Sequence, residues 1–203
     1  MKTRSGKKRQ AILDAAYGLF SEKGFERTSV SEICARAGGS KATIYSYFAS
    51  KEELFVECMF SLAENYLEGT LCQLQSPADN LLSVLQDFGE SFLRLACSPE
   101  MISARRLMIA EADRAGVGKL LYMKLLCIRQ QVTTFLSMIM AEGKLRGGDA
   151  DLAAGQLRAL LETELFEPLL LCAVSSHPDD HAIAKAAERA VGTFLNAYAR
   201  EVR

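Results

Sequence analysis

Lys41, Thr43, Tyr45 and Tyr47 lie close together, with Ser40 just before them and Lys51 just after. An ammonium, hydroxyls and phenols suit phosphate oxygens, and a Thr methyl or a Tyr ring can touch a thymine methyl group. This is the chemistry of binding, and such groups work only when a rigid element presents them. The flanking residues supply that element. Ser29 followed by Glu32 is a capping box, so one helix can begin near Val30. Gly38 and Gly39 end it, because glycine accepts the left-handed backbone of many helix C-termini. Ser40 caps a second helix from Lys41 to about Phe48, with Ile44 and Phe48 four apart and able to pack inward. Two helices joined by a tight glycine turn form a helix-turn-helix, whose second helix can enter a DNA major groove. Caps and glycine turns also occur in ordinary helical bundles with solvated faces.

Charge favours the first reading. The 203 residues carry a formal net charge of -1, but residues 1–51 hold ten Lys or Arg against four Asp or Glu, a net of +6. The remainder is net -7. A basic head on an acidic body places nucleic-acid affinity at one end of the chain.

The segment from Gly24 to Leu54 reads Gly-Phe-x-x-Thr-Ser-Val-x-x-Ile-x-x-x-Ala-Gly-x-Ser-Lys-x-Thr-Ile-Tyr-x-Tyr-Phe-x-Ser-Lys-Glu-Glu-Leu. It resembles the N-terminal DNA-binding domain of the TetR family of transcriptional regulators, over about Arg9 to Phe55. The resemblance implies that Ser29, Ser40, Lys41, Thr43, Tyr45, Tyr47 and Lys51 face double-stranded operator DNA, with Ser40, Lys41 and Lys51 on phosphates. One position departs from the pattern. The family usually places a branched apolar residue after the first turn glycine, and here it is Gly39, which forfeits a packing contact in the turn. Arg106-Leu-Met-Ile-Ala-Glu-Ala-Asp, Ala141-Glu-Gly-Lys-Leu and Asp149-Ala-Asp-Leu-Ala-Ala resemble the AefR-like ligand-binding domains.

Nothing downstream reads as a strand, so the fold class expected is all-α, with about nine helices. A first helix from about Ser5 to Lys23 carries the apolar stripe Ile12, Ala16, Leu19 and Phe20, and Gly24 stops it. A fourth opens at Ser50 and is expected to continue to about Gln75, joining a DNA-binding domain (1–51) rigidly to a larger ligand-binding and dimerisation domain (52–203). Further helices are expected at about Ala78–Cys97, Pro99–Arg114, the Gly118 turn to Glu142, from Asp149 with a kink at Pro168, and at about Asp179–Glu201.

Met59, Phe60, Phe88, Phe92, Met108, Met123 and Met138 could line an adaptable apolar cavity, or form ordinary core. A small-molecule effector at this place is what the resemblance implies. It implies too that the last two helices form a four-helix homodimer interface. Their mixture of small and large residues, including Ala153, Ala154, Leu157, Leu161, Ala187, Val191 and Phe194, suits close helix packing.

No catalytic constellation, phosphate loop or metal cluster is recognisable, so neither an enzyme nor a bound cofactor is expected. Glu164 and Glu167 interrupt an apolar helix and are expected to face solvent. His177 and His181 are four apart but lack further ligands, so no metal site is expected. The six cysteines, at 34, 58, 72, 97, 127 and 172, sit in apolar helical contexts, as buried free thiols do in a reducing compartment. With no apolar run near membrane-spanning length, a cytoplasmic protein with no membrane partner is expected. A ligand-responsive DNA-binding regulator, most often a repressor in the family, therefore leads. A helical carrier or interaction protein for hydrophobic molecules is the alternative.

Overall fold

A computed structural model of the chain describes residues 4–61, 74, 80–114 and 116–199, and it is helical with no strand among them. The described helices are α1 (Arg4–Arg27), α2 (Val30–Ala37), α3 (Lys41–Tyr45), α4 (Lys51–Ser61), α5 (Leu81–Ala96), α6 (Pro99–Ala110), α7 (Val117–Ala141), α8 (Ala150–Glu164), α9 (Phe166–Leu170) and α10 (Asp180–Tyr198). The chain divides into two units, one of residues 1–64 and 103–123, the other of 65–102 and 124–203. The expected continuation of α4 to Gln75, and the expected start of α5 at Ala78, lie outside the described residues.

In the first unit, α1 packs against α2 and α4. It breaks at Gly24, whose φ of 77° explains why glycine stands there. The Thr28 hydroxyl donates to the carbonyls of Leu19 (3.1 Å) and Gly24 (2.8 Å), satisfying groups the break would orphan. Phe20, Phe25 and Phe55 then stack in a buried cluster with centroids 5.1 to 5.7 Å apart.

In the second unit, α10 packs against α5 and α8. Gly89 lets these helices approach: a Cβ there would lie 3.0 Å from Leu161 Cδ2 and 3.4 Å from the Ala187 Cβ. Ala153, Ala154, Leu157, Leu161, Ala187, Ala190, Val191, Phe194 and Tyr198, part of the small-and-large pattern, are buried within one chain. Leu152, Ala159, Leu160, Ala184, Gly192 and Leu195 stay exposed or half-buried on the outer sides of α8 and α10.

Four helix ends differ from the sequence expectation, α10 among them, which stops at Tyr198 where Ala199 turns extended. α3 stops at Tyr45, and the residues to Phe48 form a tighter turn, with the Tyr47 N–H donating to the Ile44 carbonyl at 3.0 Å. α6 stops at Ala110, four residues early, where the chain turns so that the Ala112 carbonyl comes hard against Gly118. The Pro168 kink is a full break at Leu165, giving α9 and a count of ten described helices. Pro168 cannot donate to the Glu164 carbonyl and its ring crowds that carbonyl. Cys34, Cys58 and Cys97 are buried as expected, but Cys127 is exposed on the outer face of α7 and Cys172 is exposed in the turn after α9, at φ 57°. Cys72 lies outside the described residues. Burial pushes the Cys97 thiol up to about 11 and the Cys58 thiol higher still, so neither is a ready nucleophile. Glu164 and Glu167 are exposed.

Candidate nucleic-acid interface

The capping box forms as read. Ser29 Oγ accepts the Glu32 N–H at 3.2 Å, and Glu32 Oε2 accepts the Ser29 N–H at 2.8 Å. Gly38, at φ 67°, turns the chain out of α2. Ser40 Oγ accepts the Thr43 N–H at 3.1 Å and starts α3. Ile44 and Phe48 are buried, so α3 is anchored by two apolar side chains on one side. Around the rest of this segment Lys41 is exposed, Thr43 partly exposed and Tyr45 50% exposed. Ser29 and Ser40 are exposed too, but their hydroxyls are already engaged as caps. Tyr47 sits in the turn after α3, half-buried, with its hydroxyl 3.2 Å from Ser5 Oγ.

Lys51 opens α4, and its ammonium lies 4.2 Å from the centroid of the Phe25 ring. Ser50 Oγ accepts the Glu53 N–H at 3.1 Å, and Glu53 Oε2 accepts the Ala49 N–H at 2.6 Å, fixing the entry to α4. Arg9 pairs with Glu57 at 2.6 Å and lies over the Phe48 ring, tying α1 to α4 and to the turn after α3.

The missing apolar residue at position 39 is answered by a lysine. Lys8 donates to the carbonyls of Ala37 (3.2 Å) and Gly38, closing the C-terminal end of α2 with a cation. A Cβ on Gly39 would lie 3.4 Å from Lys8 Nζ. The stem of Lys8 thus covers the site a branched side chain would fill. Beside it an open groove of about 570 Å³ is lined by Ser5, Lys7, Lys8, Ala11 and Tyr47. In the sequence these N-terminal lysines count only as charge; their three- and four-residue spacing to Ala11, which puts them on one helix face, is the signal that places them together. A groove carrying two ammoniums and two hydroxyls can hold a phosphodiester by ion pairing and hydrogen bonds, and α3 presents groups that suit base edges.

The seven candidate ligand-lining residues fall in both units. Met59, Phe60 and Met108 are buried in the first. Phe88 and Phe92 stack in the second, 6.3 Å apart, within its apolar core. Met123 and Met138 point largely outward from α7, 53% and 46% exposed, so neither is enclosed. Met and Phe spacing identified apolar positions but not which way they turn. Among the described residues no group of three or more His, Cys, Asp or Glu could hold a metal, and no helix is long and apolar enough to cross a membrane.

The fold and this face define a helix-turn-helix DNA-binding regulator. Residues 12–58 match the family of bacterial regulatory proteins of the TetR type, and residues 83–200 match the AefR-like transcriptional repressor C-terminal domain. The chain belongs to the TetR family of transcriptional regulators. A protein of known structure from Mesorhizobium loti MAFF303099, assigned to the TetR family, is 29% identical over 98% of this chain and all of that one, with a TM-score of 0.81. The flavonoid-responsive regulator FrrA is 28% identical over 97% of this chain and all of its own, with a TM-score of 0.77. The HTH-type transcriptional regulator YvdT of Bacillus subtilis is 41% identical over 68 residues, which cover 34% of this chain and 33% of that protein.

Proposed function

We propose that this regulator binds a palindromic operator as a homodimer, represses transcription there, and is released by a small hydrophobic molecule. The observation that carries the reading is the face of α3. Lys41, Thr43 and Tyr45 stay exposed or partly exposed on a segment locked in place by Ile44 and Phe48. Ser40, Lys51 and the Lys7 groove flank that face and can hold phosphates on either side of it. One short helix reads only a few base pairs, so two subunits and two half-sites, a helical turn or a multiple apart, are needed for useful affinity. Ala184, Gly192 and Leu195 on α10 are only partly covered within one chain, Leu195 packing in part on its own core, and we assign this side of α10 to the second subunit. FrrA responds to flavonoids, and its likeness over nearly the whole chain supports a largely apolar effector.

The test begins by selecting a duplex from a random pool with the purified protein. The parent should bind it with an affinity that falls steeply with salt, since displaced counterions dominate such binding. Tyr45→Ala should weaken binding and alter the selected sequence. Unchanged affinity and sequence preference would remove the assignment of α3 as the reading element. A carrier for hydrophobic molecules would show no duplex selection at all.

A further inference from the structure

Among the described residues two polar side chains are buried, Thr28 and Glu111. Thr28 closes the break in α1 locally. Glu111 is distant in sequence and reaches the same place. Its Oε1 accepts the Phe25 N–H at 3.2 Å, the first donor after the Gly24 break. Its Oε2 forms an ion pair with Arg114, 2.6 Å from Nε but without hydrogen-bond geometry, and Arg114 Nη1 donates to Glu26 at 3.0 Å. The turn that carries Glu111 is tightly built. The Val117 N–H donates to the Arg114 carbonyl at 2.7 Å, Gly116 has φ 81°, and Gly118 leaves no room for a Cβ beneath Ala112. Burying a carboxylate costs free energy unless its oxygens are partnered, and here one oxygen takes the Phe25 N–H while the other lies against the Arg114 guanidinium.

What it holds is Phe25. That ring is stacked on Phe20, set edge-on to Phe55, and lies under the Lys51 ammonium. We propose that Glu111 is a positioning residue for DNA binding: by fixing the Phe25 backbone it fixes the ring on which Lys51 rests, and so sets where the Lys51 ammonium meets a phosphate. The turn between α6 and α7 then holds a direct grip on a DNA-facing cation. Both helices run from this unit into the residues of the other, so a rearrangement there has a covalent path to the grip. This inference rests on the DNA-binding reading above.

The test compares the parent, Lys51→Met, Glu111→Ala, Glu111→Gln, Phe25→Leu and the Lys51→Met/Glu111→Ala double variant on the selected duplex across a salt series, scaled to the folded fraction from circular dichroism. Lys51→Met should flatten the slope of log affinity against log salt by about one unit per subunit. Glu111→Ala should flatten it equally and weaken binding about ten-fold, within the range of roughly 5- to 150-fold seen for coupled sites. Phe25→Leu keeps an apolar plug but removes the ring, and should act like Glu111→Ala even if the latter folds poorly. Glu111→Gln keeps an oxygen for the Phe25 N–H and should keep the parent slope. The double variant should be no flatter than Lys51→Met alone. A merely structural role for Glu111 would lower the folded fraction and leave the slope untouched, which overturns the proposal. So would additive slopes in the double variant, or a Glu111→Gln as flat as Glu111→Ala. A parent with no salt-dependent binding would sink the DNA-binding reading itself and this inference with it, whereas a steep parent beside a steep Glu111→Ala sinks the inference alone.

Discussion

The helix-turn-helix head and the second unit both bury apolar side chains and both join helices by ion pairs, Arg94 with Asp180 and Arg189 with Glu164 in the second, but they differ in what most constrains their short and long helices. In the head, short helices are fastened by polar bonds at their ends: Lys23 to Glu32 at 2.6 Å, Arg36 to both oxygens of Glu22 at 2.8 and 3.0 Å, and Lys8 to the last carbonyls of α2. In the second unit, α5, α8 and α10 meet through side-chain volume, with Gly89, Ala153 and Ala187 admitting Leu161, Val191 and Phe194. Polar end-fastening sets orientation and leaves one face of α3 exposed for use. Volume packing sets stability and consumes the faces it joins.

The sharpest contrast pairs two aromatic truncations. Phe194 is fully buried and stacks on Tyr198 at 4.7 Å, so Phe194→Ala should cost about 3–5 kcal/mol in urea unfolding. Tyr45 is half exposed, so Tyr45→Ala should change stability by no more than about 0.5 kcal/mol while weakening duplex binding. A large stability loss at Tyr45 would erase the distinction between the two regions.

Two glycines sharpen the same comparison within the second unit. Gly89→Leu forces a side chain against Leu161 and Ala187 and should cost about 1–3 kcal/mol. Gly192 has open space around it in one chain, so Gly192→Ala should stabilise the isolated helix by about 0.5–1 kcal/mol. Gly192→Arg should fold normally yet shift sedimentation towards monomer. A Gly192→Arg protein that remains dimeric would move the proposed subunit contact off this face of α10.

These two modes of assembly also explain what was legible in the sequence. Ser29, Glu32, Gly38 and Ser40 act on neighbours a few residues away, so the helix-turn-helix and its outward residues could be read directly. The end of α6 could not, because Glu111 leaves the helix to reach Phe25 and Gly118 must pass Ala112, both set by tertiary approach. The exposure of Met123 and Met138 has a related cause: periodicity marks an apolar face, while neighbouring helices decide whether it is covered. Lys8 was hidden because its partner is an absence, the missing side chain at Gly39.

A smaller effect is expected at the cap of α3. Ser40→Ala removes the acceptor for the Thr43 N–H and should cost about 1 kcal/mol. Amide exchange should quicken through Lys41 to Tyr45, and duplex binding should weaken. Ser40→Asn should restore both, since its side-chain oxygen caps equally well without adding charge near DNA. Failure of Asn to restore binding would mean that the hydroxyl contacts DNA itself, beyond holding the helix.

The smallest effect belongs to Glu32, and it tests whether the head's polar fastening is electrostatic. The Lys23 ammonium first, and then the Ser29 backbone and hydroxyl donors, stabilise the ionised carboxylate and hold it at about 2, below its ordinary 4.5. A carboxylate whose pKa is lower folded than unfolded contributes stability that is whole above about 4.5 and is lost as pH falls towards 2. Glu32→Gln keeps an oxygen for the Ser29 N–H but cannot form the ion pair with Lys23. Its thermal midpoint should therefore lie slightly below the parent's at neutral pH, and the two curves should converge as pH falls through that window. Because Lys23 and Glu32 are both substantially exposed, added salt should shrink the gap at neutral pH. A gap that persists near pH 2 and ignores salt would show that Glu32 fastens α2 by shape and hydrogen bonding alone, which would make the head's construction closer to that of the second unit than its bonds suggest.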